Sequence, residues 1–592
     1  TMKRSYIFAT AFVVLFIAVL VVVVVCFTSK NGWKDHSEQS EEPFWKTGVV
    51  YQVYPRSFRD ADGDGTGDLK GIAEKADYLA ELGVRIVWLS PVYESPMKDF
   101  GYDISNYTAI DPTFGTMEDF DNLLDELHSR GLKLVMDFVP NHSSDQHEWF
   151  KKSEAGDEKY KDYYVWADGI DTANGTAPPN NWVSEFRGSA WEWSEARQQY
   201  YYHEFLKEQP DLNYRNEDLR NDMEAVLRFW LEKGVDGFRL DALKYLFETD
   251  DLSLNEPVDP DSGTTDPDDP AYLEHIYTTD LPGTFQVLRE WRILVDEYDD
   301  KVLMAEVYGD VEDVMKYYGN ETYPLAHFPF NFFLLDNLQN RSLLTGYAIK
   351  DTVSLWLDNI PEGEWANWVL GNHDNERVAS RLGEDLVDAL NMMLLLLPGT
   401  PVTYYGEEIG MENTFISWED TVDPQGCRWG PDHYQEYSRD PERTPMQWND
   451  GHMTGFTNGS ETWLPVNPNY KEINVALQEE AAQSTLKVYK QLIELRAEAT
   501  FHEGALSFPT YDQHTFSFIR SLEGYPSYLV VMNTAEEDRE VDLHYGANFP
   551  LPEEATVVLR SSTDEAEETS PESVVQLAAL PLLSGEGLVL EL

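Results

Sequence analysis

The stretch Leu132-Lys-Leu-Val-Met-Asp-Phe138 is a short apolar run that continues into Val139-Pro-Asn-His142, where polar side chains follow. A run of this length and composition is typical of a buried strand in a parallel sheet. Helix-length segments such as Glu118–Arg130 and Met223–Lys233 lie on either side of it, and each is followed by a glycine that favours a helix C-cap. This alternation of strand and helix indicates βαβ units.

Similar runs recur along the chain. They are Val49–Tyr54, Val84–Leu89, Gly237–Asp241, Val302–Glu306, Trp365–Leu370 and Thr400–Tyr405. About eight repeats over roughly 450 residues favour a closed barrel over an open sheet, so the predicted fold is an α/β fold with a (β/α)8 TIM barrel. The barrel is expected within residues 44–502.

Two insertions and a second domain are expected around this barrel. About 70 residues after the third strand, 142–212, are too many for a βα loop and predict an inserted subdomain over the barrel mouth. Its Trp and Tyr residues either stack on sugars or pack its own core. Residues 249–270 are acidic, without Lys or Arg, and indicate a solvated loop. Residues 503–592 lose the helical pattern and predict an antiparallel β domain.

Composition limits the classes of partner. The 592 residues carry 44 Lys plus Arg against 107 Asp plus Glu, which gives a formal net charge of −63. Hydrophobic residues make up 42% and aromatic residues 13%, which excludes a disordered acidic chain. Binding to nucleic acid or to anionic lipid headgroups needs Lys and Arg, so the charge argues against both.

The N-terminus predicts a membrane anchor. Residues 6–27 contain no charged side chain and are long enough to cross a bilayer, which favours an uncleaved signal anchor over a signal peptide. Residues 1–5 are then a short cytoplasmic segment, residues 28–43 an acidic stalk, and the remainder the extracellular part of a single-pass type II plasma-membrane protein. The flanking Lys and Arg residues specify this orientation only weakly.

Glycosylation sequons and cysteines bear on the same expectation. Six Asn-x-Ser/Thr sequons, at Asn106, Asn141, Asn174, Asn320, Asn340 and Asn458, suit a glycoprotein, with Asn141 the least suited because it follows a strand. Only two cysteines are present, Cys26 and Cys427, so no disulfide framework is possible.

Carboxylates at strand ends predict acid/base or nucleophilic chemistry, because a parallel barrel places its active site at the carboxyl ends of its strands. Arg239 precedes Asp241 by two residues and shares its face of the strand, so it is expected to keep Asp241 ionised as a nucleophile. Glu306 ends an apolar strand, an environment that favours a protonated acid. Asp374 follows His373 and offers a third carboxyl group.

Four blocks resemble those of the α-amylase family of glycoside hydrolases (family 13). They are Asp137–His142, Gly237–Ala242, Ala305–Gly309 and Asn372–Asp374, in the order and spacing of that family. Gln209-Pro-Asp-Leu-Asn213 resembles the block of its oligo-1,6-glucosidase and α-glucosidase branch.

The resemblance implies roles for individual residues. Asp241 is then the nucleophile, Glu306 the acid/base and Asp374 the stabiliser of the transition state. Further substrate-binding residues are implied around the glucose unit: Arg239, His142 and His373 at its −1 site, and Asp103 and Arg443 at its non-reducing end. Ala242 after the nucleophile resembles enzymes that cleave α-1,4 rather than α-1,6 bonds.

One loop offers oxygen ligands for a metal ion. Asp60-Ala-Asp62-Gly-Asp64-Gly-Thr66-Gly-Asp68 places oxygen-bearing side chains at alternate positions, but the twelfth position is Gly71 instead of a bidentate Glu. A solvated Asp-Gly turn is the alternative. The resemblance, which implies a calcium loop after the first strand, favours structural Ca²⁺.

The expected function is that of a membrane-anchored retaining exo-α-glucosidase acting on maltose-type or sucrose-type substrates. A retaining mechanism implies carboxyl groups of Asp241 and Glu306 about 5–5.5 Å apart. The layout also resembles rBAT-type heavy subunits of heteromeric amino-acid transporters, in which a cysteine just outside the membrane bonds a light chain. Cys26 is the candidate for that bond, although an apolar helix residue explains it as well.

Overall fold

The computed structural model describes residues 42–173, 175–545, 550–562 and 570–592. The predicted cytoplasmic segment 1–5, the anchor 6–27, Cys26, nearly all of the stalk 28–43 and the sequon at Asn174 lie outside the described residues. Within these ranges, no helix is both long and apolar enough to span a bilayer. Three sequons, at Asn320, Asn340 and Asn458, are exposed, and Asn141 is buried; glycosylation stays a prediction.

Eight parallel strands form the central sheet. They are β1 (Val50–Val53), β2 (Ile86–Leu89), β3 (Lys133–Phe138), β4 (Gly237–Leu240), β5 (Val302–Ala305), β6 (Phe328–Pro329), β7 (Asn367–Val369) and β8 (Thr400–Tyr404). Their order is β6-β5-β4-β3-β2-β1-β8-β7, and every pair in it is parallel. The predicted TIM barrel is confirmed, and seven of its strands were identifiable from the sequence.

The barrel closes between β6 and β7 through a side chain. Asn367 is fully buried, and its Oδ1 accepts a hydrogen bond from the Asn331 backbone N–H at 2.8 Å. Its Nδ2 donates to the Pro329 carbonyl oxygen at 2.7 Å. One amide side chain therefore satisfies a backbone donor and a backbone acceptor of the β6 segment that a regular ladder would have paired with backbone groups of the neighbouring strand.

Nine of the helices in the described residues are numbered here in chain order. They are α1 (Leu69–Glu74), α2 (Ala76–Leu82), α3 (Met117–Ser129), α4 (Glu217–Lys233), α5 (Pro282–Val295), α6 (Val311–Met315), α7 (Gly346–Asn359), α8 (Val387–Leu396) and α9 (Thr485–Arg496). Thr116 begins α3 with a capping box to Asp119, and Asn216 caps α4 by accepting from Leu219 N–H. Gly234 ends α4 at φ 106°, as predicted.

The segment between β3 and α4 folds on its own small sheet. Strands Trp166–Ala167, Gln199–Tyr202 and Trp191–Ser194 pair antiparallel, after a helix at Glu148–Glu154. Trp182 and Trp191 are buried in its core beside Tyr202. The sequence left open whether the aromatic residues of this segment stack on sugars or pack its core, and these three pack its core.

The C-terminal part is an antiparallel β structure, as predicted. Its six-stranded sheet runs Ala505–Ser507, Thr515–Ser521, Tyr528–Asn533, Gly587–Glu591, Glu554–Arg560 and Val574–Gln576. Residues Phe44–Leu592 form one compact unit, so the domain limit at 502/503 stays a prediction.

Helix α8 lies between the barrel and this sheet, and all ten of its side chains are buried. Gly587 permits the close approach, because a Cβ there would lie 2.8 Å from Ala389 of the helix. The last carbonyl groups of α8 accept from arginines: Arg496 Nη1 donates to Leu395 O at 2.7 Å, and Arg520 Nη1 to Leu396 O at 2.9 Å. These bonds satisfy acceptors that a helix C-terminus leaves free.

Replacing Asn367 with Ala is expected to lower the free energy of unfolding by about 3 kcal/mol, since a buried N–H and a buried C=O lose their partners. Urea denaturation measures the change. Asn359→Ala is the matched control: its amide donates to Leu355 O at 2.8 Å on an exposed helix surface, and its effect should stay under about 0.5 kcal/mol. Equal effects of the two substitutions would contradict the closing role of Asn367.

Candidate active site

A cavity of about 370 Å³ lies at the carboxyl ends of the barrel strands. Strands β3, β4, β5 and β7 lead directly into the segments that line it. Its lining includes Asp99, Tyr102, His142, Glu185, Phe186, Phe205, Asp241, Glu306, Tyr308, His373, Asp374, Gln425 and Arg439. The cavity thus brings together the three carboxylates predicted to be catalytic and both predicted histidines.

One arginine beneath the cavity holds three carboxylates. Arg239 lies on β4 with its side chain 2% exposed. Its Nη1 pairs with Asp137 Oδ1 at 2.8 Å and with Asp241, and its Nη2 pairs with Glu306 Oε1 at 2.7 Å. Glu306 Oε2 also accepts from the Ala242 backbone N–H at 2.8 Å. Asp241 and Glu306 are therefore fixed by the two terminal nitrogens of one planar guanidinium.

The protonation of this cluster differs from the sequence expectation. Burial raises the pKa of Asp241 well above its ordinary value; Arg239 opposes the increase, while Glu306 and Asp137 add to it. Burial also raises the pKa of Asp137, to about 6. Arg239 acts on Asp241 in the expected direction, but burial and the neighbouring acids outweigh it, because a single cation serves three buried carboxyl groups. Asp241 and Asp137 therefore retain a proton at higher pH than isolated carboxyl groups do.

Asp374 has the opposite electrostatic environment. Its Oδ1 pairs with Arg443 Nη2 at 2.7 Å and with Arg439 Nη1 at 3.3 Å. Burial acts to raise its pKa, but His373, Arg443 and Arg439 together outweigh burial and lower the pKa well below the ordinary value. Asp374 is therefore an anion across the physiological pH range.

Both cavity histidines are neutral. Burial lowers the pKa of His142 to about 3 and that of His373 well below its usual value. Gln52 Nε2 donates to His373 Nδ1 at 2.8 Å, which assigns the ring proton to Nε2, close to Tyr102 OH and Asp374. Gln209, from the block that resembles the α-glucosidase branch, donates to His142 Nε2 at 3.0 Å.

The predicted pair Asp103 and Arg443 does not line the cavity. Asp103 is fully buried and accepts from Ser95 Oγ, Lys98 N–H and Asp99 N–H, each at 2.9 Å. Arg443 is fully buried behind Asp374. This assignment is corrected.

The cavity wall carries a different pair, Asp99 and Arg439, with Arg439 Nη2 at 3.1 Å from Asp99 Oδ1. Each member lies four residues from the one that was predicted, Asp103 or Arg443. Arg239 likewise lies beneath the cavity instead of in its wall, although it positions two of the wall's carboxylates.

Comparison with known proteins agrees with this geometry. The family described as Alpha amylase, catalytic domain, matches residues 52–504. The chain belongs to the α-amylase family.

Among curated proteins, Maltase 1 of Drosophila virilis is 47% identical over 562 residues, which cover 93% of this chain and 87% of that protein. The human amino acid transporter heavy chain SLC3A1 is 39% identical, over 93% of this chain and 78% of its own length. The crystal structure of the α-glucosyl transfer enzyme XgtA matches at a TM-score of 0.82 and 33% identity, over 93% of this chain and 100% of that one.

Several cavity residues of this α-amylase family member were missed by sequence reasoning. Tyr102 OH accepts a hydrogen bond from His373 Nε2–H at 2.6 Å, and the two rings stack with centroids 5.5 Å apart. Phe186 lies under the Arg439 guanidinium at 5.1 Å. Arg439 lies only four residues before Arg443, so the same segment of the sequence offered both arginines as candidates. Phe186 was not predictable, because it lies in an insertion without periodic pattern.

The predicted metal loop is only partly assembled. Three of the five predicted ligands converge: Asp60, Asp62 and Asp68 place carboxylate oxygens within 4.8 Å of one another, and Asp64 does not join them. The five-residue set stays a prediction. Asp60 Oδ1 accepts from Gly63 N–H at 2.6 Å and its Oδ2 from Gly65 N–H at 2.7 Å. Three converging carboxylates with free lone pairs fit a hard cation such as Ca²⁺.

Proposed function

We propose that this protein is a retaining exo-α-glucosidase. The observation that carries the proposal is the shared guanidinium of Arg239, which fixes Asp241 and Glu306 beside each other in the cavity lining. The 47% identity to Maltase 1 of Drosophila virilis supports the same activity. Maltose-type or sucrose-type substrates are expected, with the glucose unit innermost.

The first step of the proposed reaction uses both carboxyl groups. Glu306 gives its proton to the glycosidic oxygen, the bond from that oxygen to C1 breaks, and Asp241 attacks C1 from the opposite side to form a β-glucosyl ester. The alcohol leaves the cavity carrying the proton. Asp374, an anion held by two arginines, binds sugar hydroxyl groups and stabilises the positive charge that develops on the ring.

The second step returns the enzyme to its starting state. Glu306, now ionised, takes a proton from water, and the water oxygen attacks C1 and displaces Asp241. The released glucose has the α configuration. Neutral His142 and His373 donate or accept hydrogen bonds to the sugar without adding a positive charge that would oppose the developing oxocarbenium ion.

We attribute exo action to the Asp99–Arg439 pair. The pair lies in the cavity wall and contacts Asp374, so we expect it to stop a sugar chain from extending past the glucose unit on that side. The expected α-1,4 preference rests on Ala242, which lines the cavity next to Asp241 and resembles the residue found there in α-1,4-acting enzymes.

Membrane anchoring and an extracellular location remain part of the proposal and rest on residues 6–27 alone. The transporter-subunit alternative is favoured by the 39% identity to the human heavy chain. Its predicted linkage through Cys26 lies outside the described residues. The complete set of Asp241, Glu306 and Asp374 supports the enzyme, since an accessory subunit needs none of them. Non-reducing gels of membranes that contain the full chain would reveal a disulfide-bonded light chain.

We also propose that Asp60, Asp62 and Asp68 bind one Ca²⁺ ion with a structural role. The loop joins β1 to α1, and Asp68 caps that helix by accepting from Gly71 N–H at 2.7 Å. Asp60 accepts from Thr457 Oγ1 as well, so the loop is tied to a segment that follows β8. An ion here would stabilise both connections without reaching the cavity.

Asp241→Asn and Glu306→Gln are expected to reduce glucose release from maltose below about one hundredth of the wild-type rate, because the nucleophile and the proton donor are lost. Proton NMR of the wild-type reaction should show α-glucose before mutarotation. Asp125→Asn, on the exposed face of α3, is the control and should keep full activity. Initial release of β-glucose would contradict the retaining mechanism.

Asp137→Asn is expected to move the acidic limb of the kcat/KM pH profile to lower pH. The Asp137 carboxylate raises the pKa of Asp241, so its removal lowers that pKa and keeps the nucleophile ionised in more acidic solution. Activity on maltose between about pH 3 and 8 measures the shift. An acidic limb that stays in place, or moves to higher pH, would show that Asp137 does not act through Asp241.

Chelation with EGTA is expected to lower the thermal unfolding midpoint, and Ca²⁺ but not Mg²⁺ should restore it. A Ca²⁺ concentration of 100 times Kd would raise the free energy of unfolding by about 2.7 kcal/mol. Asp62→Ala should remove the Ca²⁺ dependence. Asp64→Ala, equally exposed in the same loop, should retain it. If both variants lose the dependence, the ligand set is the wider one predicted from the sequence.

A further inference from the structure

Three segments of the chain meet at Arg187, next in sequence to residues of the cavity wall. Arg187 lies at the tip of a hairpin in the insertion after β3, closed by the bridge between Val183 and Ser189. Its Nη1 pairs at 2.7 Å with Asp266, in the acidic loop after β4. Its guanidinium carbon lies 4.6 Å from the ring centre of Trp429, in the segment after β8. We call Arg187, Asp266, Trp429 and Tyr437 the mouth clamp.

The indole of Trp429 is enclosed within this clamp. Tyr437 stacks on it at 3.7 Å with an angle of 4° between the rings. Because Tyr437 fills one face, the Arg187 guanidinium lies over the other. Neither face is left for a sugar to stack on, so Trp429 acts as an anchor between chain segments and not as a sugar platform.

The backbone adds two further links at the same place. Arg428 Nη2 donates to the Arg187 carbonyl oxygen, and Gly188 N–H donates to the Asp268 carbonyl oxygen at 2.8 Å. The acidic loop 249–270, expected to be solvated, is thus attached to the hairpin by both an ion pair and a backbone hydrogen bond. All three segments converge within a few residues of Arg187.

The neighbours of the clamp in sequence form the cavity wall. Glu185 and Phe186 directly precede Arg187, and Gln425 and Arg439 flank the segment that carries Trp429 and Tyr437. Arg439 also lies over the Phe186 ring at 5.1 Å. The clamp therefore joins two segments that both contribute residues to the cavity wall.

The clamp is accessible to water and can be opened. The side chains of Arg187 and Asp266 are 26% and 39% exposed, so salt screens their attraction. Arg187 also has a left-handed backbone, at φ 75°, which is unfavourable for a residue with a side chain. Its conformation is thus maintained by the contacts of the clamp.

The geometry points to Arg187 as a residue that determines specificity for aglycone length: by holding the hairpin against the segment after β8, it favours short glucosides such as disaccharides over longer oligosaccharides. This inference rests on the proposed α-glucosidase function. On this proposal a longer aglycone extends past Glu185, Phe186 and Gln425, the cavity-lining neighbours of the clamp, and competes with the contacts between Arg187, Asp266 and Trp429.

The test compares kcat/KM for maltose and for maltopentaose in the wild type, Arg187→Ala and Asp266→Asn. The kcat/KM for maltopentaose divided by the kcat/KM for maltose should rise at least about threefold in both variants. Asp266→Asn removes only the ion pair and leaves the stacked rings in place, so it separates clamp opening from misfolding. In the wild type the ratio should increase with NaCl concentration, and in Arg187→Ala it should not depend on salt.

Arg197→Ala is the matched control. Arg197 belongs to the same insertion and also lies over a tryptophan, Trp166, at 4.3 Å; unlike Arg187, it is not next in sequence to a cavity-lining residue. The ratio of kcat/KM for maltopentaose to kcat/KM for maltose should be the same in Arg197→Ala as in the wild type. An active wild type with unchanged ratios in Arg187→Ala and Asp266→Asn, or an equal fall on both substrates, overturns the clamp alone. A folded wild type that releases no glucose from either substrate overturns the proposed function and the clamp with it.

Discussion

The guanidinium of Arg239 lies inside the barrel against three carboxylates, and the arrangement of the cavity depends on that contact. A buried cation without partners would destabilise the fold, and so would three buried anions. In this cluster the attraction between them offsets the cost of removing each charge from water. Because Asp137 comes from β3, Asp241 from the end of β4 and Glu306 from the end of β5, the ionic cluster also fixes how three neighbouring strands end. The site is thus positioned by rigid strands, which hold catalytic groups more accurately than loops do.

A second ionic cluster organises the opposite wall. Arg439 pairs with Asp99, Asp374 and Asp423, and therefore joins the loop after β2, the loop after β7 and the segment after β8. The two clusters leave Asp374 an anion while Asp241 shares its environment with other acids. Two carboxyl groups at the same end of one barrel thus have pKa values shifted in opposite directions, and the anionic state of Asp374 suits the stabilising role proposed for it.

Much of this architecture follows from the sequence, because strand ends in a parallel barrel must converge. That rule locates Asp241, Glu306, Asp374 and both histidines without any coordinates. It fails for loops: Asp99 and Asp103 lie in one turn, and only the fold decides which side chain reaches the cavity. It also fails for β6, which has two residues, one of them proline, and is completed by the distant amide of Asn367.

The sequence also does not predict which carboxylates of the metal loop converge or which segments meet at Arg187. Alternating carboxylates in residues 60–68 look equivalent in the sequence, but backbone turns select Asp60, Asp62 and Asp68. The contact of Arg187 with Trp429 joins positions that are far apart in the chain and lie in segments without periodicity. Such contacts depend on where loops of unequal length meet, which no local pattern records.

The position of helix α8 has a consequence for how the protein is made. Its ten side chains are covered partly by the barrel and partly by the sheet that contains Gly587–Glu591, the last strand of the chain. During synthesis the N-terminal residues emerge first, at about 5–20 residues per second. The helix therefore leaves the ribosome well before its cover exists, and the newly made chain must keep that apolar surface from aggregating until Gly587–Glu591 has been added.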